Sequence, residues 1–146
     1  MEASYLSIGP KVVEFEKRIG SYAGIRYAVA VNSRTSALHL IIRGMEIGEG
    51  DVFITTPFSF IASSNCILFE GAKPLFIDIE EETLNLDADK VERKLESLSM
   101  EEIAKVEALL GVDTFGQPAD WDRYKVTGKR YNLKLIEDSV IIGWMN

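Results

Sequence analysis

The sequence is short of the residues that most often announce chemistry. Of 146 residues, one is cysteine and one is histidine. A single thiol excludes an intramolecular disulfide, and a single imidazole excludes a multi-histidine metal site. No Cys or carboxylate cluster has metal-ligand spacing, and no elbow motif supports a Ser-His-Asp nucleophile. Basic residues are few: 16 Lys and Arg against 23 Asp and Glu leave a net charge of −7. With no basic stripe, the chain is not expected to bind nucleic acid or an anionic membrane surface. No apolar run approaches the roughly 20 residues that span a bilayer. The N-terminus (Met1, Glu2, Ala3, Ser4) lacks the basic-then-apolar pattern of a secretory leader. A cytoplasmic location is the expectation. Neither Gly-x-x-x-x-Gly-Lys nor Gly-x-Gly-x-x-Gly occurs, so a phosphate would need another seat.

What is present reads as globular. Hydrophobic residues make up 47% and charged residues 27%, which is not the composition of a disordered chain. The length suits one domain rather than two. Gly9-Pro10 opens a helix in which Val12, Phe15, Ile19 and Tyr22 recur at three- and four-residue spacing, closed by Ala23-Gly24. Residues 27–31 (YAVAV) read as a strand buried on both faces. NSRTS then forms a polar turn that caps a helix running to about Met45. Strands are expected at 52–56, 74–79, 106–112 and 133–136, and helices at 60–69, 87–98 and 119–131. Leu86, Val91 and Leu95 lie inward on the helix over 87–98. Such alternation predicts an α/β fold with a mostly parallel sheet covered by helices. Ligands of such sheets sit at the carboxyl ends of strands, which draws attention to NSRTS and to Glu137-Asp138.

The turn NSRTSAL leads into a helix N-terminus, where backbone N–H groups and a positive dipole end suit a phosphate. Ser33, Thr35 and Ser36 add hydroxyl donors; plain N-capping is the competing reading. Asp138 ends an apolar strand, so its carboxylate either holds a cationic ring nitrogen or caps the strand–loop junction. Phe58 and Phe60 follow the strand over 52–56 and Pro57. They are core residues, or one of them stacks on a planar cofactor. His39, between Leu38 and Leu40, reads as a satisfied helix residue, and Cys66 as a buried core thiol. Glu80-Glu81-Glu82 reads as a solvated loop.

Taken in order, GPKVVEFEKRIGSYAGIRYAVAVNSRTSALHL, IGEGDVFITTPFSFIASSNCILFEGAKPLFIDIEEETLNLD, VDTFGQPADWD and LKLIEDS resemble the DegT/DnrJ/StrS family. The resemblance runs from about Gly9 to Ser139. It implies a fold-type I pyridoxal-phosphate aminotransferase: a three-layer α/β/α large domain, here partial and without a second domain. It further implies a nucleotide-linked keto-sugar and an amino-acid donor as substrates, a role in polysaccharide or cell-surface sugar biosynthesis, and a homodimer. By the same resemblance Thr35 and Ser36 hold the cofactor phosphate, Phe60 lies on the pyridine face, and Asp138 pairs with the pyridinium nitrogen.

Three departures stand out. Arg34 occupies a position in the phosphate turn where the family often has Gly or another small residue. It either strains the turn or adds a phosphate contact. Ile141 stands where the family has Gln, His or Glu near the cofactor's phenolic oxygen, and the ending VIIGWMN departs from the pattern. No lysine matches the family's Schiff-base lysine, which lies further along than this sequence runs. The chain is therefore expected to be a truncated member with reduced or absent activity alone. A non-catalytic binding or assembly module of the same fold, and a generic nucleotide-binding α/β domain, are the alternatives.

Overall fold

A computed structural model describes residues 9–139, which divide into two compact units between Ser33 and Arg34. Ile141 and the rest of VIIGWMN lie outside the described residues.

The first unit is built on helix α1 (Pro10–Ala23). Gly9 is extended, and Pro10 takes the first helical position, where a missing N–H costs nothing. Gly24 ends the helix in the left-handed region (φ 67°) and donates its N–H to the Gly20 carbonyl. The expected strand over 27–31 does not form. Tyr27 is 79% exposed, and no strand among the described residues pairs with the segment. The reason is local: a β-prone run becomes a strand only when a neighbouring backbone takes its amides. Here the Ala30 N–H donates instead to the Glu16 carboxylate at 2.9 Å.

The second unit is a four-stranded parallel sheet with strands in the order β2-β1-β3-β4. The strands are β1 (Val52–Thr55), β2 (Lys73–Phe76), β3 (Val106–Val112) and β4 (Lys134–Asp138). The helices are α2 (Arg34–Gly44), α3 (Ala62–Phe69), α4 (Ala88–Ser97), α5 (Met100–Ile103) and α6 (Trp121–Tyr131). Helix entry follows side-chain chemistry. Asp87 caps α4 by accepting from the Lys90 N–H at 3.0 Å, and Asp120 caps α6 from the Arg123 N–H at 3.1 Å. Ser99 and Glu102 form a reciprocal capping box on α5.

Two apolar clusters cover the two faces of this sheet. Leu38 and Ile42 of α2, and Cys66 and Ile67 of α3, pack with Phe53, Ala108, Leu110 and Ile136. Val91 and Leu95 of α4, with Tyr124 of α6, pack with Ile54, Leu109 and Leu133. Consecutive residues thus enter opposite layers, as the pleat requires, and the three-layer α/β/α arrangement follows. Val106 breaks the alternation: it joins Leu109 in the second cluster, because a register shift places Val52 on Val106 but Phe53 on Ala108. The buried Tyr124 hydroxyl donates to the Leu86 carbonyl. Gly111 has to be small, since a Cβ there would lie 2.9 Å from the Trp121 ring. No helix among the described residues is long and apolar enough to cross a membrane.

Strand order fixes where a ligand can sit. From β1 the chain crosses to β2 on one side and then returns to β3 on the other. The loops after β1 and β3 therefore diverge and open a crevice, the switch point of a doubly wound sheet.

Candidate functional site

That crevice holds a cavity of about 520 Å³. Its walls are the loop after β1 (Pro57 to Phe60), the end of β3 with the loop after it (Val112 to Gly116) and Arg34. Phe60 is 65% exposed and Phe115 is 83% exposed. Aromatic rings left open on a concave surface suit a planar ligand. Phe115 also takes a left-handed backbone (φ 53°), a conformation that costs a non-glycine residue about 1 kcal/mol or more.

The loop that carries Phe115 is fixed from beneath. Buried Asn85 accepts from the Thr114 N–H at 2.9 Å and donates to the Gln117 carbonyl at 3.0 Å. Asp113 accepts from the Ala119 N–H and from Trp121 Nε1, both at 3.0 Å. The Thr114 hydroxyl is buried and has no hydrogen-bond partner among the described residues. Thr114 also lines the cavity.

Asp138 closes β4 with its carboxylate 4% exposed. It forms a bidentate ion pair with Arg34, whose Nε donates to Oδ1 at 2.6 Å while Nη2 donates to Oδ2. Ser63, in the first turn of α3, donates its hydroxyl to the same Oδ2 at 3.1 Å. Beside this group lies Cys66, whose Sγ donates to the Thr35 carbonyl at 3.4 Å. Burial and the Asp138 carboxylate push the Cys66 thiol up, against a smaller opposing pull from Arg34.

Of the candidate residues, Arg34 and Asp138 are joined directly, and Phe60 shares the cavity with Arg34. Thr35 and Ser36 follow Arg34 in the first turn of α2; both are half-buried and neither lines the cavity. Phe58 lines it too. His39 contacts the Glu70 carboxylate and meets the Phe69 ring edge-on with centroids 5.4 Å apart. Cys66 is buried, while Glu81 and Glu82 are exposed. Among the described residues no cluster of His, Cys, Asp or Glu is arranged to hold a metal ion.

Sequence reasoning passed over Ser63, Asn85, Asp113 and Thr114. Asp113 follows β3 directly, so the strand-end rule was available to find it. Ser63 and Asn85 give no local signal, because each matters only through a partner distant in sequence.

Glu137 gives a pH test of the strand ends. Burial and the nearby Asp113 carboxylate push the Glu137 carboxyl above the usual glutamate range. The native state then holds this proton more tightly than the unfolded chain does. Its contribution to stability is complete below the ordinary glutamate pKa of about 4.3 and is lost as pH rises through the raised value. Glu137→Gln is expected to flatten that part of the stability–pH curve, read from urea midpoints between pH 4 and 7. An unchanged slope would rule Glu137 out as its source.

Known proteins resemble the chain in sequence and fold. The sequence model of the DegT/DnrJ/EryC1/StrS aminotransferase family matches residues 1–140. The spore coat polysaccharide biosynthesis protein SpsC of Bacillus subtilis (strain 168) is 38% identical over 139 residues, covering 95% of this chain and 34% of that protein. GDP-perosamine synthase of Caulobacter vibrioides is 36% identical over 140 residues, covering 95% of this chain and 36% of the synthase. Among solved structures, ntda from Bacillus subtilis with bound cofactor PMP superposes with a TM-score of 0.81 at 32% identity, covering 89% of this chain and 28% of that one. The chain spans about a third of the length of the curated relatives it matches. It belongs to the DegT/DnrJ/EryC1/StrS aminotransferase family, whose members are pyridoxal-phosphate-dependent.

Proposed function

We propose that this chain supplies the cofactor cradle of a pyridoxal-phosphate-dependent aminotransferase acting on nucleotide-linked keto-sugars in polysaccharide or cell-surface sugar biosynthesis. The observation that carries the reading is the aromatic-walled cavity at the β1/β3 switch point, beside a buried carboxylate at the end of β4. The relatives' names supply the substrate class: one makes GDP-perosamine and another serves spore coat polysaccharide.

The residues present fit the cofactor. The open faces of Phe60 and Phe115 suit a flat ring, and the Asp138 carboxylate beside the cavity suits a cationic ring nitrogen. Bound there, pyridoxal phosphate would supply the electron sink that lets an amino group move between carbons. In this reading Thr35 and Ser36 hold the phosphate through the amides and hydroxyls of the first turn of α2. Phe60 covers one ring face and keeps water from it. Asp138 holds the proton on the ring nitrogen, with Ser63 fixing the carboxylate in place. No lysine lines the cavity, so the amine that transamination needs as nucleophile and base is not among these walls. A cofactor-fold module that binds or assembles without turnover is the second reading.

An absorbance titration of the chain with pyridoxal phosphate tests both readings. The expected result is non-covalent binding that Asp138→Ala weakens by about tenfold or more, as loss of a charge-assisted hydrogen bond predicts. A borohydride-reducible band would show a lysine-linked site and overturn the lysine-free cradle. Absence of any binding would remove the cofactor reading and leave the assembly module.

A further inference from the structure

The cradle just described gives the Arg34 side chain no task, yet Arg34 makes the most buried ion pair among those of the described residues. We propose that Arg34 is an internal cation that competes with the cofactor's ring nitrogen for Asp138, and so sets how tightly the site takes a pyridine ring. The proposal rests on Asp138 being the ring-nitrogen partner.

Three observations carry it. The guanidinium fork covers both oxygens of Asp138, and Ser63 holds Oδ2 from α3. The carboxylate is thus fixed, with three of its roughly four acceptor sites taken. Secondly, Arg34 lines the cavity whereas Asp138 does not. A ring nitrogen entering from the cavity meets the guanidinium before it meets the carboxylate. Thirdly, a pyridinium and a guanidinium cannot share one carboxylate closely without like-charge repulsion. The ring must therefore displace Arg34 rather than join it. The side chain has room to leave, since it is 29% exposed and long enough to reach solvent. The apparent affinity is then reduced by the small fraction of molecules in which Arg34 has let go.

Pyridoxamine 5'-phosphate is the probe, because it cannot react with surface lysines. Benzyl phosphate is the control: it keeps an aromatic ring and a phosphate but has no ring nitrogen. Calorimetric titration of the chain should show Arg34→Ala binding pyridoxamine phosphate at least about tenfold more tightly, the scale of a bidentate charge-assisted pair. Benzyl phosphate should bind both proteins alike. Arg34→Lys, which keeps the charge but loses the fork, should fall between them.

If Arg34→Ala does not fold, the unaltered chain still decides. The Arg34 Nε–Hε NMR signal should move on adding pyridoxamine phosphate and stay in place with benzyl phosphate. Equal weakening of both ligands by Arg34→Ala would make Arg34 a phosphate contact and overturn the proposal. If pyridoxamine phosphate binds and Asp138→Asn leaves its affinity unchanged, the ring-nitrogen reading of Asp138 falls, and the proposal with it. If Asp138→Asn weakens binding but Arg34→Ala changes nothing, the competition alone is wrong.

Discussion

Arg34→Ala is expected to lower the unfolding free energy, without added ligand, by about 3 kcal/mol. The estimate is the lower end of what breaking a buried ion pair costs when one charge stays behind. Asp138 is the partner that stays: it is 4% exposed, and its remaining side-chain donor is Ser63. The lower end applies because Arg34 itself is partly solvated. Urea unfolding checks it as a shift in midpoint at constant slope. A double-mutant cycle with Asp138→Asn should show coupling, the double variant losing less than the sum of the single ones. A loss under about 1 kcal/mol would mean a surface-type pair, too weak to hold off a ligand.

Leu109→Ala should be comparably damaging, at about 2–5 kcal/mol. Leu109 is fully buried in the middle of β3. It is flanked in register by Ile54 on one side and Leu135 on the other, and it packs among Val91, Leu95 and Tyr124. These neighbours come from one interior strand, an outer strand and two helices, so collapse around the missing atoms would have to move several elements at once. Residual cavity then adds to the lost transfer free energy. Leu40→Ala, on the exposed side of α2, is the control and should stay within about 0.5 kcal/mol. Equal losses at the two positions would contradict the core assignment. Since a domain's whole stability is about 5–15 kcal/mol, the Leu109 loss would be visible as a large shift in midpoint.

The two apolar clusters were legible from the sequence because period and burial agree. The inward set Leu86, Val91 and Leu95 is the α4 face that packs, and the strand over 106–112 forms with the expected limits. Residues 27–31 show where that logic stops. Their β-prone composition is real, but pairing is a property of two segments, and the Glu16 carboxylate took the amide of Ala30 instead. The family was legible from several motifs in sequence order, which needs no knowledge of strand order. The cavity was only half legible. The sheet-edge rule led to Asp138, but the switch point between β1 and β3 depends on the order β2-β1-β3-β4, which no local pattern encodes. Arg34 was visible as an odd residue in its turn; its partner was not, because 104 positions separate the two.

That separation has a consequence for the order of assembly on the ribosome. At about 5–20 residues per second, Arg34 leaves the decoding centre roughly 5–20 s before Asp138 is even polymerised. For that interval α2 has a cation at its first turn and no strand β4 to receive it. The last strand of the described sheet is therefore also the step that closes the site, and Arg34 and Asp138 meet there after the rest of that sheet has been made.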